Sequence, residues 1–126
     1  MAKARTAAES ARLLLQSGDL DGACNRAYYA VFDAARAALM ASKASTETEK
    51  ARTHGGLISA FSLHLVKSGI LPVALGRTFN RLHEIRLIAD YSGDPVERDL
   101  VESALEEAAG FVDAIQAQFF GGSQKP

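Results

Sequence analysis

The segment 80–91, Asn-Arg-Leu-His-Glu-Ile-Arg-Leu-Ile-Ala-Asp-Tyr, brings together four side chains that could do chemistry. If the segment is helical, Asp90 at i+4 and His83 at i−3 lie along the same edge of the helix as Arg86. Tyr91 follows where that helix must end. Arginine, carboxylate, imidazole and phenol groups are therefore expected to gather at one end of this helix. These four residues are therefore the first candidates for a functional site.

The surroundings of Arg86 make its position unusual. The apolar residues before and after it recur at helical spacing, which predicts a helix face directed at the core. The members of this apolar stripe are Leu75, Phe79, Leu82, Ile85 and Ala89. Burying a permanently charged guanidinium within such a stripe is costly, so we expect Arg86 to have an ion-pair partner or a function. Two interpretations remain open: an ion pair with Asp90 that only fixes packing, or a polar site in a groove between helices or subunits.

A second polar strip is predicted on the segment from about residue 20 to residue 41. Its apolar arc is so wide that it predicts a central helix with neighbours on more than one side. Most of the polar residues that remain are spaced by four, four and three positions, so they form a continuous strip along that helix. We interpret this strip, with one adjacent arginine, as a binding groove composed of Asn25, Arg26, Tyr29, Asp33 and Arg36.

The positions of these residues depend on a set of predicted helices. Their approximate spans are 5–16, 20–41, 53–67, 72–91 and 95–120. Asp19 is expected to cap the second helix, and Asp94 followed by Pro95 is expected to start the fifth. Residues 42–51 are predicted to be a loop, and residues 121–126 a disordered tail. No run alternates as a strand would, so we predict an all-α fold, an antiparallel bundle of four to five helices.

Composition limits the function. The 126 residues suit one domain, 1–126, and 48% hydrophobic with 23% charged residues is ordinary for a soluble globular domain. The formal net charge of −1 gives no global basic field, so binding of nucleic acid would require a local basic patch. The sequence shows neither an apolar signal segment nor a stretch long enough to span a membrane, so we expect a cytoplasmic protein.

Metal and cofactor chemistry finds no support in the sequence. Cys24 is the only cysteine and falls at a core-facing position, where it is expected to be a small buried apolar residue. His54, His64 and His83 have no metal-ligand spacing to one another. The pair His83-Glu84 begins like a zinc-protease helix, but Leu87 occupies the position of the second histidine. We therefore predict no metal and no cofactor.

Two segments carry a resemblance to a known family. Residues 25–35, Asn-Arg-Ala-Tyr-Tyr-Ala-Val-Phe-Asp-Ala-Ala, and residues 82–91 together resemble the HEPN domain superfamily, and residues 53–58 and 71–77 fit the same pattern. More narrowly, the chain looks like the small stand-alone bacterial and archaeal HEPN proteins over about residues 5–120. The resemblance implies a homodimer that pairs across its polar groove. It also implies a minimal nucleotidyltransferase as partner, in a toxin–antitoxin or phage-defence module.

Many HEPN domains are metal-independent endoribonucleases whose Arg-x4-His motifs meet across the dimer, and this chain departs from that motif. Counting from Arg86, the histidine position is Tyr91, and an unperturbed phenol titrates near pH 10, too high for a good base at neutral pH. Asp33 likewise stands where relatives often have a histidine. The predicted site is therefore Arg86, Tyr91 and Asp90, with His83 as the less favoured substitute.

Three functions remain open. The first is a toxin-like HEPN component that binds or cuts RNA through Arg86, Asp90 and Tyr91, and we expect binding with ribonuclease activity weak or absent. The second is a non-catalytic regulatory subunit that docks a nucleotidyltransferase. The third is a plain helical protein-interaction module without a ligand, against which the charge of Arg86 on an apolar face argues.

Overall fold

The computed structural model describes residues 1–42 and 53–121, and within these ranges the chain forms α-helices and no strand. The helices are α1 (Ala2–Ser17), α2 (Leu20–Ala41), α3 (His54–Phe61), α4 (Val73–Tyr91) and α5 (Arg98–Ile115). Two π-helical segments, Ser62–Val66 and Gln116–Phe120, continue α3 and α5. The predicted all-α bundle is confirmed. The predicted loop over 42–51 and the predicted tail over 121–126 lie, apart from their first residues, outside the described residues.

Helix α2 is the central element of the bundle. It packs against α1, α3, α4 and α5, as its wide apolar arc predicts. Its alanines at positions 23, 27, 30, 34, 35 and 38 are all fully buried, and side chains this small allow the neighbouring helices to approach closely. The polar strip of α2 is therefore confined to the narrow remaining part of its surface, where its side chains are partly buried.

The predicted boundary between α1 and α2 is confirmed. Gly18 ends α1 with φ +91°, a left-handed conformation that glycine adopts without steric cost. The side chain of Asp19 then accepts a hydrogen bond of 2.9 Å from the backbone N–H of Gly22. This cap satisfies one of the donors that the first turn of α2 leaves without a helical partner.

Two predicted helix starts are wrong by a few residues. Helix α1 begins at Ala2 rather than near residue 5, because Ala4 continues the buried alanine stripe of that helix into the bundle. Helix α5 begins at Arg98, and its N-cap is Glu97 rather than Asp94. The reason lies in Val96, which is buried while the backbone at Glu97 is still extended. Burial of Val96 therefore delays the first helical turn.

An aromatic cluster fixes the rotation of α4. Phe79 contacts Phe61 and Phe111 with ring centroids 5.5 and 6.0 Å apart, so three helices meet at one set of rings. The ring of Tyr28 on α2 lies 6.4 Å from the ring of Phe79. The predicted apolar stripe of α4 accordingly faces the core: its first four members are buried and Ala89 is partly buried. This rotation turns the C-terminal half of α4 toward α2.

None of the described helices combines the length and the apolar character that crossing a lipid bilayer requires.

Cys24 is buried in the core, as predicted. Burial raises the pKa of its thiol from the ordinary 9.0 to about 11, and the negative charges of Asp21 and Asp90 act in the same direction. The thiol therefore stays protonated, and we assign it a packing role.

This shift of the Cys24 pKa should appear in the stability of the protein. As the pH rises from about 9 to about 11, the unfolded chain ionises Cys24 while the folded chain keeps it protonated. The free energy of unfolding should therefore fall over this range, by at most roughly 2–3 kcal/mol from this residue. Urea unfolding under reducing conditions at several pH values should show a smaller fall in the Cys24→Ala variant. Identical pH dependence in the two proteins would contradict this assignment.

Candidate functional site

The site is centred where the C-terminal half of α4 lies against α2. The guanidinium of Arg86 stands over two rings of α2, with Cζ 5.3 Å from the ring centroid of Tyr28 and 5.6 Å from that of Tyr29. The side chain of Arg86 is only 16% exposed. Ring faces carry negative electrostatic potential, so they attract a cation that has lost most of its water. The two tyrosines therefore hold this charge between the helices.

Asp90 supplies the counter-charge that the sequence predicts. Its Oδ2 lies 3.3 Å from Arg86 Nε, and its side chain is 30% exposed. The contact has the distance of an ion pair but not the geometry of a hydrogen bond, since Arg86 Nε has no hydrogen-bond partner among the described residues. Asp90 thus balances the charge of Arg86 without forming a bidentate hydrogen-bonded pair with it.

His83 lies one turn before Arg86 and packs on the same aromatic surface. Its ring centroid is 5.6 Å from that of Tyr28, which is completely buried. Burial raises the pKa of Tyr28 above its ordinary value of 10, and the nearby cation of Arg86 lowers this pKa only in part. The phenol of Tyr28 is therefore protonated at neutral pH and cannot serve as a base there.

Tyr91 stands apart from this group. It is the last residue of α4 and is 76% exposed. In the described part of the chain, no hydrogen bond or ring contact joins it to Arg86 or to any other side chain. The structure brings together Arg86, Asp90 and His83 from the predicted site, and it leaves the phenol in solvent.

The polar strip of α2 borders an open groove of about 780 Å³ beside the site. The N-terminal turn of α1, including Lys3, forms the facing wall, and Met40 lies at one end. Of the five residues predicted to form a binding groove, four line it, and Asn25 does not. The four are Arg26, Tyr29, Asp33 and Arg36.

The arginines of the groove stack on aromatic rings, as Arg86 does. Arg26 Cζ is 5.5 Å from the ring centroid of Tyr29, and Arg36 Cζ is 5.2 Å from that of Phe32. The three rings of this part of α2 also contact one another, with centroids 5.3 to 5.9 Å apart. We call this group the arginine–aromatic cluster, and its members are Arg26, Arg36, Arg86, Tyr28, Tyr29 and Phe32.

Sequence reasoning placed Tyr29 in the groove but did not predict contacts between the arginines and the aromatic rings. Phe32 and Arg36 stand at i and i+4 and share one helix face, which is a signal for such a contact. Arg26 and Tyr29 stand at i and i+3, which gives the same signal. The sequence pattern does not predict the contact of Arg86 with these rings, because that contact depends on how α2 and α4 cross.

The groove is locally basic although the whole chain is slightly acidic. Four cationic side chains and two carboxylates belong to it and to the adjoining site: Lys3, Arg26, Arg36, Arg86, Asp33 and Asp90. No carboxylate of the described chain lies within ion-pair distance of Arg26 or Arg36. Because the net charge of the chain is −1, binding a polyanion requires a local basic patch. The groove and the adjoining site provide such a patch.

This arrangement is better suited to binding an anion than to moving a proton. Tyr28 is buried in its protonated form, Asp90 faces a cation, and Tyr91 is remote from both. Within residues 1–42 and 53–121, no three side chains of histidine, cysteine, aspartate or glutamate converge as metal ligands would. Stacked guanidinium groups can donate to phosphate oxygens and present flat faces to nucleobases.

Comparison with known proteins identifies the family. Residues 1–118 match the HEPN domain, and the chain belongs to that family. A UPF0332 protein of Thermotoga maritima is 37% identical over 116 residues, which cover 90% of this chain and 83% of that protein. A protein of Methanocaldococcus jannaschii named "Putative toxin" is 33% identical over 107 residues, covering 85% of this chain and 76% of the relative. A UPF0332 protein of Gloeobacter violaceus is 34% identical over 93 residues, or 74% and 70% of the two chains.

The ion pair of Arg86 and Asp90 leads to a prediction about stability. Arg86→Met should destabilise the protein more than the double variant Arg86→Met with Asp90→Leu, because the single change leaves a carboxylate without its cation. The difference should be about 1 kcal/mol or less, since Asp90 is partly exposed to water. Urea unfolding of the wild type, both single variants and the double variant gives the coupling energy directly. A coupling energy of zero would mean that Asp90 does not stabilise Arg86.

Proposed function

We propose that this protein is a toxin-like HEPN component that binds single-stranded RNA through the arginine–aromatic cluster. The main observation is that three guanidinium groups lie over one group of rings, and within the described residues no carboxylate forms an ion pair with Arg26 or Arg36. Binding of single strands commonly combines cations that follow the phosphates with flat groups on which bases stack. The basic groove beside Arg86 supplies the cations. Tyr29 and the guanidinium planes supply the flat groups. The proposal implies a cytoplasmic site of action.

Several features of the chain support this choice. The M. jannaschii relative carries the name of a putative toxin. Arg86 also occupies the position of the arginine in the HEPN ribonuclease motif. Cleavage is expected to be weak or absent, because Tyr91 replaces the motif histidine and is exposed away from Arg86. Loss of cleavage leaves the binding function intact, because the cations that hold phosphates do not depend on that histidine.

RNA binding by the cluster can be tested with two double variants that leave the net charge unchanged. Arg86→Met with Asp90→Leu removes the ion pair of the site. Arg81→Met with Glu107→Leu removes an ion pair between α4 and α5 whose arginine is more exposed than Arg86 and whose Nε–Oε2 distance is 3.0 Å. We expect the first variant to lose at least about tenfold in affinity for a labelled single-stranded RNA and the second to bind within about twofold of wild type.

Further measurements with the same RNA sharpen this test. Arg26→Gln and Arg36→Gln should each lower the slope of log affinity against log salt by about 0.7, the value for one phosphate contact on a single strand. The RNA should remain intact in the presence of EDTA. Full affinity in the Arg86→Met, Asp90→Leu variant would refute the proposed site and favour a purely structural ion pair. Metal-independent cleavage lost on His83→Ala would instead identify an active ribonuclease.

A homodimer that pairs near α2 and α4 is part of the proposal. Leu87, Ile88 and Tyr91 form an exposed apolar edge of α4 beside the site, with exposures of 37%, 51% and 76%. Apolar side chains grouped in this way commonly mark an interaction surface. A second copy on this edge would bring two Arg86 sites close together, as the HEPN resemblance implies.

The proposed dimer can be tested with a pair of matched variants. Ile88→Glu should convert the protein from a dimer to a monomer of 13.4 kDa, because it places a charge on the proposed apolar interface. Leu13→Glu on α1 is the control, since Leu13 is 53% exposed and Ile88 is 51% exposed. Sedimentation equilibrium at micromolar concentration distinguishes the two masses. A monomeric mass for the wild-type protein would refute the proposed homodimer.

The second candidate function is a regulatory subunit that docks a minimal nucleotidyltransferase. The same apolar edge of α4 favours it, because the edge suits any protein partner. Co-expression with a nucleotidyltransferase encoded beside this protein separates the candidates. Co-purification that Ile88→Glu abolishes, together with no RNA binding by the wild type, would favour the regulatory subunit.

A further inference from the structure

Asp33 has a position in the groove that phosphate binding does not explain. It is half-buried and lies on the same strip of α2 as Arg26 and Arg36. Yet among the described residues no cation lies within ion-pair distance of Asp33. A carboxylate in a groove that receives a polyanion repels phosphate and weakens binding. Its presence there suggests that it contacts a different part of the ligand.

The two arginines of α2 approach Asp33 from both ends of the groove. Arg26 folds toward the C-terminal end of α2 to stack on Tyr29, and Arg36 folds back to stack on Phe32. Their ten-residue separation places their Cα atoms about 15 Å apart along the helix axis, and the inward fold of both side chains brings the guanidinium groups nearer to each other. The groove of about 780 Å³ is large enough for a nucleotide, since small-molecule sites commonly have volumes of ~300–1,000 Å³. Phosphates can thus lie on the arginines while a base lies between them.

The chemistry of a carboxylate limits which base can lie against Asp33. An ionised carboxylate only accepts hydrogen bonds, and its two oxygens can accept from two neighbouring donors. In single-stranded RNA the Watson–Crick edges of the bases are accessible. Guanine presents N1–H and the N2 amino group side by side on this edge. Adenine, cytosine and uracil each place an acceptor next to their donor, and that acceptor would repel the second carboxylate oxygen.

We infer that Asp33 is the specificity-determining residue of the groove and selects guanine through a bidentate hydrogen bond to N1–H and the N2 amino group. This inference rests on the proposed RNA-binding function and adds base preference to it. The cations supply affinity for any sequence, whereas Asp33 lowers the affinity for every base that cannot satisfy both of its oxygens.

Fluorescence anisotropy with labelled heptauridylates tests the preference in the wild-type protein. The central base is guanine, inosine, adenine, cytosine or uracil, with all other bases unchanged. We expect guanine to bind about tenfold more tightly than adenine, cytosine or uracil, within the range of discrimination of one good bidentate pair. Inosine keeps N1–H but lacks the N2 amino group, so its affinity should be intermediate.

Variants of Asp33 separate a contact with the base from a structural role. Asp33→Asn keeps the shape but loses an acceptor, and Asp33→Ala loses both. Each should reduce the preference for guanine to below about threefold, while the affinity for the uracil-centred probe rises because a negative charge has left the groove. Glu106→Gln removes one negative charge from α5, away from the groove, and should leave the preference unchanged. Circular dichroism and urea unfolding monitor the fold of each variant.

The possible outcomes distinguish this inference from the function on which it rests. If the wild type binds all five probes equally, or if Asp33→Asn and Asp33→Ala keep the guanine preference, the assignment of Asp33 is wrong while RNA binding stands. If the wild type binds none of the probes at low salt, the proposed RNA-binding function itself fails. A guanine preference that disappears in both variants but persists in Glu106→Gln supports the assignment.

Discussion

The rest of the structure depends on placing one permanent charge between two packed helices. A guanidinium carries a permanent charge, so the protein must compensate the lost hydration of Arg86 by contacts. The ring faces of Tyr28 and Tyr29 and the carboxylate of Asp90 provide that compensation. These groups come from both helices, so α2 and α4 must keep their relative rotation for the charge to be tolerated. A packing requirement and a candidate binding site thus share the same atoms.

The core provides the rigidity that this arrangement needs. Phe79 lies two turns before Arg86 on α4 and contacts rings from α2, α3 and α5. Because these rings interlock, α4 cannot rotate without disturbing three neighbours. The fully buried alanines of α2 serve the same end, since they bring the surrounding helices close to an axis that carries the polar strip on its remaining face. The polar surface of α2 is therefore held as firmly as its core, and this suits a site that must present several guanidinium groups together.

Local spacing explains what the sequence could predict, and contacts between helices explain what it could not. The Arg86–Asp90 pair and the Asp19 cap follow from residues three or four positions apart, so they were predictable. The stacking of Arg86 on Tyr28 depends on how two helices cross, which periodicity does not specify. The start of α5 was missed for a similar reason, since burial of Val96 overrides the local preference of Asp94-Pro95 for a helix start. Tyr91 follows Arg86 by five residues, about 140° around the helix, and this separates it from a site that its nearness in sequence suggested.

The electrostatics of the groove bear differently on the two steps of the proposed function, binding and proton transfer. Because the net charge is −1, the overall field of the chain does not attract a polyanion, and the proposed binding relies on cations that are concentrated in one place. The rings hold Arg26, Arg36 and Arg86 near one another, and within the described residues none of the three forms a bidentate pair with a carboxylate. Transfer of the 2′-hydroxyl proton would require, in addition, a base that titrates near neutral pH beside these cations. The proposed RNA binding therefore does not require the motif histidine, because holding a phosphate and moving a proton depend on different residues.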